Sequence, residues 1–240
     1  MNPSLQIAVA LSFSLPVFAQ PSSPGAPEPA ALPLSKATFE KIAKMTPIFD
    51  GKTVDGWECQ TNAWVVKEGA MASTGAGRGV IFSRGDYGNF RLIFKMRHAS
   101  GQPDHQACVL IFCTRPQEGQ KPLDALAGIQ FQVPNGGHWD YRPGHNNNGG
   151  DEFAKATHPK FDVHEWSQVE LLVNAETGTA RMAVAQPTGT RAVEVLSFND
   201  STAGKKGPIA WQMHNKGLFD EYKDVRIETD PKEDRLITVE

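Results

Sequence analysis

Several things are scarce in this chain, and each scarcity closes off a class of function. There is no basic surplus, because 24 Lys and Arg stand against 27 Asp and Glu, and the cations are scattered rather than massed on one segment. Nothing is therefore available to neutralise a run of phosphates, and nucleic acid is set aside as a partner. Cysteine is rare: Cys59, Cys108 and Cys113 make an odd count without a C-x-x-C pair, so neither a zinc knuckle nor a thioredoxin-like motif has support. If the run ACVLIFC is a strand, its offset of five residues puts Cys108 and Cys113 about 17 Å apart on opposite faces, too far to bridge. Both then read as small buried apolar side chains. Neither a G-x-G-x-x-G after a strand nor a G-x-x-x-x-G-K-[ST] occurs, so nucleotide-binding folds are excluded, and no G-x-S-x-G elbow announces a serine nucleophile.

The N-terminus carries an apolar run, Ile7–Ala19, that ends in a small residue and is followed by polar and proline residues. It is shorter than the roughly 20 residues a bilayer helix needs, and Pro16 interrupts it. The expectation is a signal peptide over residues 1–19, cleaved after Ala19, although the usual basic segment before it is missing. The mature chain is then exported, periplasmic or secreted, with no membrane span. Residues 20–34 hold Pro21, Pro24, Pro27, Pro29 and Pro33 and read as a stiff spacer. One domain is expected over residues 35–240, opening with a short helix in Ser35–Met45, capped by Ser35 and docked through Phe39, Ile42 and Ala43.

After that helix the period changes to two. NFRLIFKMRH (Asn89–His98) sets Phe90, Leu92, Phe94 and Met96 against Arg91, Ile93, Lys95 and Arg97, the alternation of a half-buried strand. Similar runs lie at Ala63–Lys67, Val80–Ser83, Ala107–Thr114, Gly128–Val133, Gln168–Asn174, Ala180–Gln186, Val193–Phe198, Ile209–His214 and Val225–Glu228, separated by turn signals. Many short strands with little helical pattern predict an all-β antiparallel sandwich, a jelly roll.

Alternate positions of two strands suggest a ligand groove on one face. GIQFQV points Gln130 and Gln132 one way, and WQMH points Gln212 and His214 to one side, so amides and an imidazole share an outer surface suited to hydroxyls. The stretch NGGHWDYRPGHNNNGG (Asn135–Gly150) then reads as a loop forming one wall. In it Trp139 and Tyr141 offer flat faces to a sugar ring, while His138, Asp140, Arg142 and His145 offer directional polar groups. The plainer alternative is an exposed turn with Trp139 packed on the rim, and His214 reads equally as a structural histidine. His138, Asp140 and His145 could also ligate a cation, but calcium calls for more carboxylates and zinc for ligands on rigid elements, so no cofactor is assigned. Retaining glycoside hydrolysis places two carboxylates about 5 Å apart across a groove, and neither candidate strand carries one.

These residues fit a known pattern. IFDGKTVDGW (Ile48–Trp57), AWVVKEGAM (Ala63–Met71), DYGNFRLIFKMR (Asp86–Arg97), EWSQVEL (Glu165–Leu171) and GPIAWQMH (Gly207–His214) follow one another in an order and spacing that resembles the 3-keto-disaccharide hydrolase family, over about Thr46–Thr229. The resemblance implies a concanavalin-like jelly roll, with Asp50-Gly51 as a turn and Trp57 and Trp64 as core aromatics. It also implies a carbohydrate ligand and cleavage of glycosides whose sugar carries a C3 ketone. That ketone acidifies the C2 proton, so a single base can start elimination of the C1 substituent, with water adding afterwards. His138, Asp140, His145 and His214 are the candidate bases; Gln130, Gln132, Trp139, Tyr141, Arg142 and Gln212 are the candidate binding residues. HQACV stands at the family's N-S-G-V groove strand and adds His105 at the groove mouth. One departure is notable: the family's groove strand often carries Glu two residues before Gln, and this chain has Gly128 there. A lectin-like module that binds without cleaving is the alternative.

Overall fold

Ser35 starts the helix where the sequence places it: in β conformation, it accepts the Thr38 N–H on its hydroxyl and opens α1 (Lys36–Lys44). The docking face differs from the expected one. Thr38 and Ile42 turn toward the body, Ile42 against Met45, Ile93 and Ile237, while Phe39 is 47% exposed and Ala43 faces solvent. The reason lies at the far end of the chain. Glu240 returns to the helix start, accepts from the Ser35 hydroxyl at 2.6 Å and also bonds Thr38, so the helix rolls toward its polar N-terminal side.

The computed structural model describes residues 31–59, 62–101, 107–117, 125–145, 147–148 and 160–240. The expected signal peptide, most of the spacer and His105 lie outside these residues. The spacer's last residues do pack: Leu34 is buried and donates to Gly189 O, and Pro33 bridges Thr190.

Strands follow as β1 (Thr46–Pro47), β2 (Trp57–Cys59), β3 (Trp64–Lys67), β4 (Ala70–Ser73), β5 (Gly79–Ser83), β6 (Phe90–Ser100), β7 (Ala107–Ile111), β8 (Ile129–Val133), β9 (His138–Asp140), β10 (Asn147–Asn148), β11 (Ser167–Asn174), β12 (Thr179–Ala185), β13 (Val193–Asn199), β14 (Ala210–Met213) and β15 (Phe219–Thr229). They form two antiparallel sheets. The first has the order β13-β12-β11-β6-β15-β4-β3, with β1 beside β15; the second runs β10-β9-β8-β7-β14-β5-β2. Residues 31–240 make one unit, the all-β sandwich that the alternating runs predict.

Between the sheets lies a core of inward residues, with Phe90, Leu92, Phe94 and Met96 of β6 facing Val109, Phe131 and Trp211 of the second sheet. Trp211 stacks on Tyr222 at 4.6 Å and 10° and on Trp57 at 5.6 Å. Such rings bury large apolar area, which is the main stabilisation a sandwich has. Trp57 and Trp64 are core aromatics as expected, and Asp50-Gly51 is the expected turn: Gly51 takes φ +74 and the Asp50 carboxylate accepts the Lys52 and Thr53 N–H groups.

The outer face of β6 departs from half-burial, because the C-terminal tail crosses it. Arg91 and Glu170, neighbours on β6 and β11, are almost fully buried and pair at 2.8 Å. Glu170 also accepts from Ile237 N, Thr238 N and Thr238 Oγ1, and Arg91 donates to Glu233 O and Arg235 O. With every group bonded, the buried pair is a lock between tail and sheet.

Candidate functional site

The register of the second sheet sorts its outward residues into rows. One row reads Trp139 (β9), Gln130 (β8), Leu110 (β7), Ala210 (β14) and Phe82 (β5); the next reads Gln132, Cys108, Gln212 and Val80. Gln130, Gln132, Gln212 and Trp139 therefore share a face, and the hydrogen bonds tie the floor together. Gln130 Nε2 donates to Gln212 Oε1 at 2.7 Å and to Cys108 Sγ, and Gln212 Nε2 lies 3.4 Å from the Tyr141 hydroxyl. Trp139 and Tyr141 are neighbours, with ring centroids 6.1 Å apart and planes at 37°.

The floor is not the open surface that strand alternation suggests. Gln130 and Gln212 are only 2% and 1% exposed, while Gln132, Trp139, Tyr141 and His214 are half-buried. Ala125, Leu126 and Tyr141 pack with Val80, Phe82, Leu110, Cys113 and Ala210 on this same face, giving it an apolar half beside the amides. The solvent-reachable set is thus Gln132, Trp139 and Tyr141, with the glutamine pair beneath, and His214, also half-buried, follows the end of β14. Both hydrogens of Gln130 Nε2 are used, and among the described residues its buried Oε1 has no partner. Cys108 belongs to the floor too, a residue that the sequence reading treated only as core. Burial pushes its thiol well above the ordinary range, the Asp220 charge adds to this and the Gln130 bond works against it, so the sulfur stays protonated.

Asn135–Gly150 is not one loop. His138–Asp140 pairs with β8 as a strand, so its side chains alternate, and the group expected on one wall is divided. His138 points into the sandwich, where its ring meets Phe198 at 5.2 Å and Phe131 at 6.5 Å, both edge-on. Asp140 and Arg142 also leave from the face opposite Trp139. Arg142 donates through Nε and Nη2 to the Asp140 carboxylate, through Nη2 to Asp200 Oδ2 at 2.6 Å, and through Nη1 to Thr202 Oγ1 at 2.9 Å. His145 Nδ1 lies 2.9 Å from Asp140 Oδ2. Burial alone would raise the Asp140 carboxyl, but the Arg142 bonds and the charges of Arg142 and His145 outweigh it and hold the pKa below the usual range. A carboxylate so committed is a weak base. Among the described residues no three His, Cys, Asp or Glu side chains are placed to hold a metal ion.

His214 lies two residues beyond Gln212, just past the end of β14, with Nδ1 3.2 Å from Asn215 Oδ1.

Gly128, at the family's usual Glu position, has no room for a side chain. A Cβ there would lie 2.7 Å from Ile111 O and 2.8 Å from Cys113 Sγ. The cause is Phe112, whose φ of +53 ends β7 early and turns Cys113 onto the outer face. Cys108 and Cys113 therefore share a face rather than lying on opposite ones, and none of the three cysteines forms a disulfide.

Comparison with known proteins shows the family and the fold. A family model described as a 3-keto-alpha-glucoside-1,2-lyase-like domain matches residues 44–228. Among solved structures, the chain is similar to the carbohydrate binding module CBM66 from Bacillus subtilis, with 11% identity and a TM-score of 0.53 over 78% of this chain and 98% of that one. It is also similar to the Ca2+-bound exoplasmic/lumenal domain of VIP36, with 9% identity and a TM-score of 0.51 over 77% and 87% of the two chains. These likenesses show a shared jelly-roll fold. No curated protein matches the sequence.

Proposed function

This chain belongs to the 3-keto-alpha-glucoside-1,2-lyase-like family, and from that premise we propose that it binds glycosides of a 3-keto sugar on the outer face of the second sheet and cleaves them by base-initiated elimination. The observation that carries the reading is the coincidence, on one face, of the Trp139–Tyr141 ring pair with the Gln130–Gln212 amide pair bonded beneath it. Rings at that spacing suit the C–H face of a pyranose, and Gln132 supplies a rim amide for its hydroxyls.

In this reaction the His214 imidazole takes the C2 proton, which the neighbouring C3 ketone acidifies. The electron pair forms the C1=C2 bond, the C1–O bond breaks, and the departing oxygen takes up a proton. Water then adds across C1=C2, hydroxyl to C1 and hydrogen to C2. His214 is assigned because the other candidates face elsewhere: His138 is seated in the core, Asp140 is held by Arg142 and His145, and the family's Glu position is Gly128. The test is release of glucose or 3-ketoglucose from 3-keto-trehalose. The wild type is expected to turn over, and His214→Gln to lose roughly 10²-fold or more in kcat. Equal turnover by both proteins would remove His214 from the mechanism.

A specific observation favours a second reading. Because Gly128 leaves no space for a carboxylate and Asp140 is committed elsewhere, the same face would serve a lectin-like module that binds without cleaving. Saturable binding of 3-keto-trehalose without turnover selects it. The apolar segment Ile7–Ala19 adds the proposal that either activity is exported; N-terminal sequencing of protein from the cell exterior should begin at Gln20, and a start at Met1 would contradict it.

A further inference from the structure

Strand β9 has an anchor as well as a ligand face. It lies between β8, which pairs all three of its residues, and the two-residue β10, so on its outer side the pairing is short. Its outward side presents Trp139, and Tyr141 follows; its inward side presents His138, Asp140 and Arg142. Those inward groups reach the first sheet at two points along one strand. His138 sets its ring edge-on to Phe198 of β13, and Arg142 bonds Asp200, which directly follows β13. Trp139 and Tyr141 lie between these two ties.

At the second tie one guanidinium stands between two carboxylates. The Arg142 fork spans the Asp140 carboxylate on its own hairpin and the Asp200 carboxylate across the sandwich edge, with Thr202 taking its remaining nitrogen. Asp200 is in turn fixed by the Thr202 hydroxyl and N–H. A planar, bidentate cation between two fixed carboxylates sets angle as well as distance, which a single point charge cannot do. Arg142 has no part on the outer face, yet the ring pair there depends on the orientation of the short backbone segment that carries it.

We infer that Arg142, bridging Asp140 and Asp200, is a positioning residue that presets the Trp139–Tyr141 platform for its saccharide, with His138 on Phe198 as the second fixed point. This rests on the reading that the platform binds sugar. A platform set before binding loses less freedom when the ligand arrives, so the anchor acts on affinity through residues that it does not touch.

The test uses the full chain and three variants, Arg142→Met, Arg142→Lys and Asp200→Asn, with methyl α-3-ketoglucoside as the probe. Two readouts are taken: the Kd by calorimetry, and the five Trp indole N–H resonances, that of Trp139 identified by its loss in Trp139→Phe. Arg142→Met is expected to raise Kd about tenfold and to shift or broaden the Trp139 resonance while the other four stay in place. Arg142→Lys should resemble Arg142→Met more than wild type, because an ammonium cannot span both carboxylates. Should Arg142→Met fail to fold, Asp200→Asn opens only the far end of the tie and is read the same way. An unmoved Trp139 resonance with unchanged Kd overturns the inference, as does a common shift of all five resonances, which marks a general structural role. A wild type that does not bind the ketoglucoside sinks the sugar reading alone, since the indole resonances still decide whether Arg142 positions the platform.

Discussion

Gln130 and Gln212 are joined side chain to side chain at 2.7 Å across β7, whose Cys108 sulfur accepts the second hydrogen of the same amide nitrogen. The bond couples two strands beneath the ring pair and fixes which way each amide faces. Gln130→Met strands Gln212 Oε1 in a buried setting, and adding Gln212→Met removes the stranded atom. The double variant is therefore expected to be more stable than Gln130→Met by about 1–3 kcal/mol. Urea unfolding of the three proteins checks this, and a double variant less stable than the single would show that the pair is not coupled.

Restoring the family's carboxylate at position 128 should fail. The first carbon of any side chain there meets the Ile111 carbonyl at 2.7 Å and the Cys113 sulfur at 2.8 Å. Gly128→Glu is expected to cost about 1–3 kcal/mol or more and to add no turnover on 3-keto-trehalose. Unchanged stability with increased turnover would mean that the turn at Phe112 yields readily.

Glu170→Ala removes the acceptor shared by Arg91 and the tail backbone. It leaves a buried guanidinium short of one partner, so a loss of about 3–5 kcal/mol is expected. Earlier proteolysis within residues 231–240 should accompany it. Unfolding midpoints and timed digestion measure both effects.

Acid should loosen the Arg142 tie in a narrow window. The Thr202 hydroxyl and N–H, with Arg142, lower the Asp200 pKa from its ordinary 3.8 to about 2. A lowered carboxyl pKa contributes stability that is present above the unfolded value and lost as pH falls toward the folded one. Asp200→Asn should therefore leave thermal midpoints nearly parallel to wild type above pH about 5 and flatten the decline between pH about 4 and 2. Parallel curves throughout would mean that Asp200 carries no linked stability.

The strands were legible wherever alternation ran long, as in β6, where Phe90, Leu92, Phe94 and Met96 turn inward. The amide face of β8 and β14 was legible for the same reason. Three features carried no local signal. The His138–Asp140 strand is three residues long and set among Gly and Asn, so its pairing with β8, and hence the opposite facing of Trp139 and Asp140, follows from the sheet rather than from periodicity. Phe112 adopts a left-handed conformation that an apolar run does not announce, and that turn placed Cys113 beside Gly128. The partner of Arg142 lies 58 residues away at Asp200, so its role depends on the meeting of two sheet edges. The docking of the tail PKEDRLITVE is not legible locally, because Leu236, Ile237 and Thr238 are buried only once Arg91 and Glu170 lie beneath them.

Saccharide binding on the Trp139–Tyr141 side of the second sheet is decided by calorimetric titration of 3-keto-trehalose into wild type and Trp139→Ala. Wild type is expected to bind saturably and the variant to bind roughly tenfold or more weakly, with its thermal midpoint lowered by no more than a few degrees. Equal affinity in the two proteins, or a loss seen only because Trp139→Ala is unfolded, would contradict it.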